Sequence, residues 1–136
     1  MDDLVQFLRA RLDEDERVAQ AAGGAWVDGP AANWVTAVPV GESSGPVHRV
    51  ALAITGGERD HIVRHDPARV LRDVEAQRAL LELHHAELIE VVNADHEERS
   101  GDWCAECDGE TFPCRTLRLL ASAYADHPDY NEAWRP

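Results

Sequence analysis

The sequence predicts an α+β fold: three helices, a small antiparallel β-hairpin and a zinc-stapled loop, in one domain spanning residues 1–136. Three observations carry that expectation. Apolar residues recur at three- and four-residue spacing in separate stretches, the period of a helix face. A block rich in strand formers and interrupted by turn residues lies between the first two stretches. All three cysteines fall between Cys104 and Cys114, two of them as a C-x-x-C knuckle. With 44% hydrophobic and 29% charged residues, the composition is that of a globular chain and not a disordered one.

The elements follow in order. Residues 1–24 read as the N-terminal helix, its regular part over 3–22, with Leu4, Leu8 and Leu12 on one face beside Val5 and Phe7. Asp2 or Asp3 caps its start, and Gly23-Gly24 ends it, because glycine takes a left-handed cap without steric cost. The run Asp13-Glu14-Asp15-Glu16 reads as its solvated face. Residues 25–60 form the hairpin region. Trp34 to Val40 and Val47 to Ile54 are the strands, with a turn from Gly41 to Pro46 between them, and Ala25-Trp26-Val27 adds a short third strand. Pro39 lacks a ladder donor, which places the first hairpin strand at a sheet edge. A long central helix is expected over 66–92. Asp66 caps it, Pro67 stands at its first position, and Val70, Leu71, Val74, Leu81, Leu88 and Val92 form its stripe. An acidic, cysteine-rich metal loop covers 93–114. A last helix from Arg115 to about Ala125 then leads, past His127-Pro128, into a tail that packs back through Trp134, so that 115–136 make one closing segment.

Three thiols so close together suit one tetrahedral metal. Zinc takes thiolates at about 2.3 Å in a closed four-coordinate site, and a C-x-x-C pair supplies two of them from one tight turn. Cys114 returns after Asp108-Gly109, a turn pair, and Pro113 presents it just before the last helix. The expected site is therefore structural Zn2+ held by Cys104, Cys107 and Cys114 with one histidine. His84 is the first choice for that histidine, since it shares the apolar helix face with Leu81 and Leu88. His96, eight residues before Cys104, and His85 are the alternatives. Three reduced cysteines in a plain loop, or a redox-active Cys104–Cys107 pair, are the rival readings.

A second group, His61-Ile62-Val63-Arg64-His65-Asp66-Pro67, sets two histidines four apart ahead of a carboxylate. It supports two functional readings, a second metal on His61, His65 and Asp66, or an anion pocket from Arg64, His65, Arg69 and the helix N-terminus. A capped helix start with surface histidines explains the same residues without either.

Charge narrows the function classes. The net charge is −13, and residues 82–110 hold ten carboxylates against the single Arg99. Such a surface repels phosphate backbones, so direct nucleic-acid binding is not expected. No apolar run approaches the roughly 20 residues of a membrane span, and the N-terminus lacks the basic start and apolar core of a signal peptide, so a cytoplasmic protein without membrane contact is expected. In a reducing compartment an odd cysteine count favours metal over disulfides.

Several blocks resemble a known family. Met1-Asp2-Asp3-Leu4-Val5 with Leu8 to Asp15, the block His61 to Leu71, and the tail from Leu117 through Tyr124 to Pro136 are similar to small uncharacterised actinobacterial proteins, common in streptomycetes. That family is described only as a domain of unknown function, so the resemblance implies no activity. It implies a histidine often present where His84 stands, and a cysteine segment that some members shorten or lack.

Three functions follow as expectations. The first is a small non-enzymatic interaction module with a structural Cys3His zinc, docking on a protein partner, with no catalytic residue singled out. The second is a metal-dependent hydrolase using His61, His65 and Asp66 or an open zinc position. The third is an acidic decoy of a nucleic-acid-binding protein. The arginines around Arg64, Arg69 and Arg72 also allow weak head-to-tail self-association with the acidic stretch.

Overall fold

The computed structural model describes residues 2–29, 33–38, 48–53, 55–92 and 98–136, with only the backbone described at 89, 91, 92 and 98–100. The elements run α1 (Asp3–Ala22), β1 (Ala25–Asp28), β2 (Trp34–Val38), β3 (His48–Leu52), α2 (Gly56–Arg64), α3 (Pro67–Leu83), β4 (Ala86–Val92), β5 (Glu98–Cys104) and α4 (Arg115–Ser122), then a 3-10 turn at Glu132–Trp134. The fold is α+β, with two antiparallel sheets. Contacts divide the chain into two compact units, one of Met1–Leu12 with Ala76–Pro136 and one of Asp13–Glu75. The helices α1 and α3 each contribute residues to both.

In the Asp13–Glu75 unit, the sheet order is β1-β2-β3. The centre of β2 is the buried strand, with Val35, Thr36 and Ala37 all shielded from water. The strand at the sheet edge is therefore not the one followed by Pro39, which corrects the expectation drawn from that proline. β1 pairs along one side of β2 and β3 along the other, and Pro39 itself lies outside the described residues. The turn from Gly41 to Pro46 lies outside the described residues. Gly24 has φ +70°, and a Cβ there would stand 2.6 Å from the Val38 carbonyl oxygen, so both backbone shape and space call for glycine.

An unexpected helix, α2, follows the sheet. Thr55 accepts from the Glu58 N–H at 3.2 Å, and the Glu58 carboxylate accepts from the Thr55 N–H at 2.8 Å, a complete capping box. The Asp66 cap of α3 stands as expected. Its Oδ1 accepts from Arg69 N–H at 2.8 Å, and its Oδ2 accepts from Trp26 N–H at 3.2 Å, tying the helix start to β1.

In the other unit, Leu4, Leu8 and Leu12 of α1 and Leu117 of α4 are fully buried. Asp2 caps α1, accepting from Leu4 N–H at 2.9 Å. Phe7 is ringed by the closing segment, with ring centroids of Tyr124, His127, Tyr130 and Trp134 at 6.3, 5.7, 6.1 and 5.0 Å. The helix α4 stops at Ser122 rather than Ala125, and single turns carry the chain on to the tail.

The expected central helix over 66–92 is the largest correction. It ends at Leu83, and residues 86–92 are the strand β4, paired antiparallel with β5 from Ala86↔Cys104 to Val92↔Glu98. Leu88 is not on a buried stripe but is 68% exposed. Leu81 and Leu88 lie seven apart, which fits a helix face, but His84-His85 are weak helix formers and Ile89, Val91 and Val92 favour a pleated strand. Part of the stretch expected as a loop, 93–114, is accordingly β5.

Candidate metal centre

Four segments of the chain converge at the open end of the β4–β5 hairpin. His84 closes α3 with its N–H on the Leu80 carbonyl at 3.0 Å and stands two residues ahead of β4. Cys104 is the last residue of β5. Cys107 follows in the turn, where Gly109 takes φ +71° and Glu110 N–H reaches back to the Cys107 carbonyl at 3.3 Å. Cys114 is the N-cap residue of α4, and its carbonyl accepts from Arg118 N–H at 3.2 Å. Its own side chain makes no cap bond. Glu110 serves instead, accepting from Arg115 N–H at 3.0 Å.

The donor atoms of His84, Cys104, Cys107 and Cys114 all lie within 4.8 Å of one another. His84 Nδ1 stands 3.3 Å from Cys104 Sγ, 3.4 Å from Cys107 Sγ and 3.5 Å from Cys114 Sγ. For zinc bonds of about 2.3 Å to sulfur and about 2.0 Å to nitrogen at tetrahedral angles, the nitrogen–sulfur edge is about 3.5 Å. The three nitrogen–sulfur distances therefore match the edges of one tetrahedral coordination sphere. His84, Cys104 and Cys114 are buried and Cys107 is half-buried.

The thiols perturb one another. Burial pushes the Cys104 thiol up, but its contact with His84, the Glu106 and Cys107 backbone and Cys114 overrides this and lowers it to about 7. Cys107 is pushed up to about 12, by burial first and then by the neighbouring Cys104 and Cys114 sulfurs. Sulfurs this close resist ionising together, and a divalent cation is the charge that lets them do so.

The other histidines fall elsewhere. The His85 ring turns away, with Nδ1 3.0 Å from the Glu82 carbonyl and Nε2 3.7 Å from Glu87, so it does not join the cluster. His96 lies outside the described residues. His61 and His65 stack with ring centroids 4.5 Å apart, but both Asp66 carboxylate oxygens are taken by backbone N–H groups. Among the described residues no second group of three or more metal donors is gathered. Of the residues expected to form an anion pocket, Arg69 holds the Arg64 carbonyl at 3.3 Å and lies 3.5 Å from Asp73. The α3 N-terminus in that place is occupied by the Asp66 carboxylate.

A family model matches the chain over residues 1–136. The chain belongs to the family of unknown function DUF6221. No curated protein and no solved structure matches this DUF6221 member. No helix among its described residues is long and apolar enough to cross a membrane.

Sequence reasoning missed Glu110, whose carboxylate finishes the α4 start in place of the cysteine side chain. It also missed the α2 capping box, although Thr55-Gly56-Gly57-Glu58 carries the T-x-x-E pattern that signals one.

Proposed function

We propose that this chain is a small interaction module stapled by one structural Zn2+ on His84, Cys104, Cys107 and Cys114. The observation that carries the reading is the donor set itself: three sulfurs and one nitrogen, largely buried and gathered within 4.8 Å, with nitrogen–sulfur distances that suit a closed tetrahedron. Catalytic zinc keeps one position for water or substrate, whereas four protein donors leave none. The placement supports the same conclusion. The donors come from the end of α3, the end of β5, the knuckle turn and the start of α4, so one ion would join three elements. When bound, the zinc supplies cross-linking and charge for the thiolates; the chain's own residues do the positioning.

Native mass spectrometry of protein from zinc-supplemented cells tests the reading, with one zinc per chain expected. Cobalt substitution tests the geometry, since tetrahedral coordination by three sulfurs and one nitrogen gives intense visible bands and a site with added waters gives weak ones. Metal-free protein with its fold intact refutes the staple, and a water-expanded cobalt spectrum returns the site to the hydrolase class.

A further inference from the structure

The β4–β5 ribbon is two-stranded among the described residues, and the described side chains of β4 do not pack into a core. Ala86, Glu87, Leu88 and Glu90 are all exposed although they point to both faces. A lone hairpin is marginal in water, and ribbons of this kind are stabilised by a third strand or a packed face. Here the open end is braced by the Cys3His group, since Ala86 pairs with Cys104 and Ala105 N–H reaches the His85 carbonyl at 2.9 Å.

The two outer edges differ. Next to the cluster, the β5 edge is covered by the knuckle loop, with Cys104 N–H on the Glu110 carbonyl at 3.0 Å and Phe112 N–H on the Asp102 carbonyl at 2.9 Å. The same bonds set the phase of the ladder. His85, Glu87, Ile89 and Val91 direct their backbone groups to β5, so Ala86, Leu88, Glu90 and Val92 direct theirs outward. Among the described residues no strand pairs with that outer edge of β4.

Charge selects the occupant. Residues 82–110 carry ten carboxylates against Arg99 alone, and Glu87 and Glu90 stand exposed on the strand itself. A second copy of β4 would bring these acids against their own kind, which destabilises cross-strand pairs. An extended segment with basic residues three apart would meet both carboxylates while its backbone completes the edge.

We propose that the outer edge of β4 takes an extended basic segment of a partner protein as an added strand. The mode is strand addition, in which backbone bonds give affinity and side chains give selectivity. It rests on reading the chain as an interaction module and names that module's docking surface. Leu88 adds an apolar contact at the middle of the edge.

Fluorescence anisotropy with the zinc-loaded full chain tests this, using labelled Thr-Lys-Val-Thr-Lys-Val-Thr, the same peptide N-methylated at alternate amides, and its Glu-for-Lys counterpart. The unmodified basic peptide should bind, and the N-methylated one should bind about tenfold or more weakly, because it cannot complete the ladder. Leu88→Pro removes an outward N–H without touching the bonds to β5, and should weaken binding about fivefold or more at unchanged zinc content. Glu90→Lys should weaken it independently, and keeps the test open if the proline variant misfolds. Equal affinity for the N-methylated peptide overturns the proposal, since charge attraction alone would then explain binding. Concentration-dependent dimers that Leu88→Pro abolishes would overturn the choice of partner in favour of a second copy. Peptide binding by a chain that carries no zinc would keep the edge and refute the staple, whereas a zinc-loaded chain that ignores the peptide would refute the edge alone.

Discussion

His84→Ala gives the most direct test of the metal centre, because His84 is the one donor supplied by α3. Treating the ion as a cross-link, His84 and Cys104 close a loop of about 20 residues, and the loop-closure relation assigns that constraint about 3 kcal/mol. For a chain of this length a loss of 3 kcal/mol lowers the melting temperature by about 10–15 °C. The imidazole is also buried, so its removal leaves space beside the sulfurs and works in the same direction. Differential scanning calorimetry of zinc-loaded parent and variant, with zinc measured on the same samples, reads both effects. His84→Cys restores a fourth donor and should recover metal and most of the stability, which separates ligation from packing. The reasoning is refuted if His84→Ala retains stoichiometric zinc at parental affinity and melts within about 2 °C of the parent.

Further outcomes follow from the same geometry. Zinc affinity should fall as pH falls, because thiolates are the ligands. The Cys107 thiol, pushed up to about 12, gives up one proton on binding across the neutral range; below about 7 Cys104 is protonated as well, and the dependence steepens. Chelator competition at several pH values checks this, and a flat profile would contradict it. Asp66→Ala should cost about 2–3 kcal/mol in urea unfolding, more than a plain cap, since the carboxylate also holds the Trp26 N–H; a loss below about 1 kcal/mol would show that the bond to β1 contributes nothing. Phe7→Ala removes the ring around which Tyr124, His127, Tyr130 and Trp134 gather, and should cost about 3–5 kcal/mol. Hydrogen exchange should then rise first over residues 123–136, and unchanged protection there would mean the tail is held by other contacts.

Local chemistry made much of this protein legible in its residues. The Asp66-Pro67 start, the Gly23-Gly24 stop and the Leu4, Leu8, Leu12 face each depend on neighbours within one or two helical turns, and each is found where the pattern puts it. The cysteine knuckle is local in the same sense, since Cys104 and Cys107 share one turn and Asp108-Gly109 reverses the chain toward Cys114. What the residues alone left open depends on contacts between distant positions. The stretch from Ala86 to Val92 is compatible with a helix face and with a strand, and pairing with residues 98–104 decides between them. His84, His85 and His96 are chemically equivalent as donors. The end of α3 and the hairpin register turn His84 into the cluster and His85 out to Glu82 and Glu87. Caps and turns bond groups a few residues apart, so composition and spacing specify them; the reach of His84 to the cysteines spans 20 to 30 residues and the β4–β5 ladder up to 18, and only the folded chain brings those groups together.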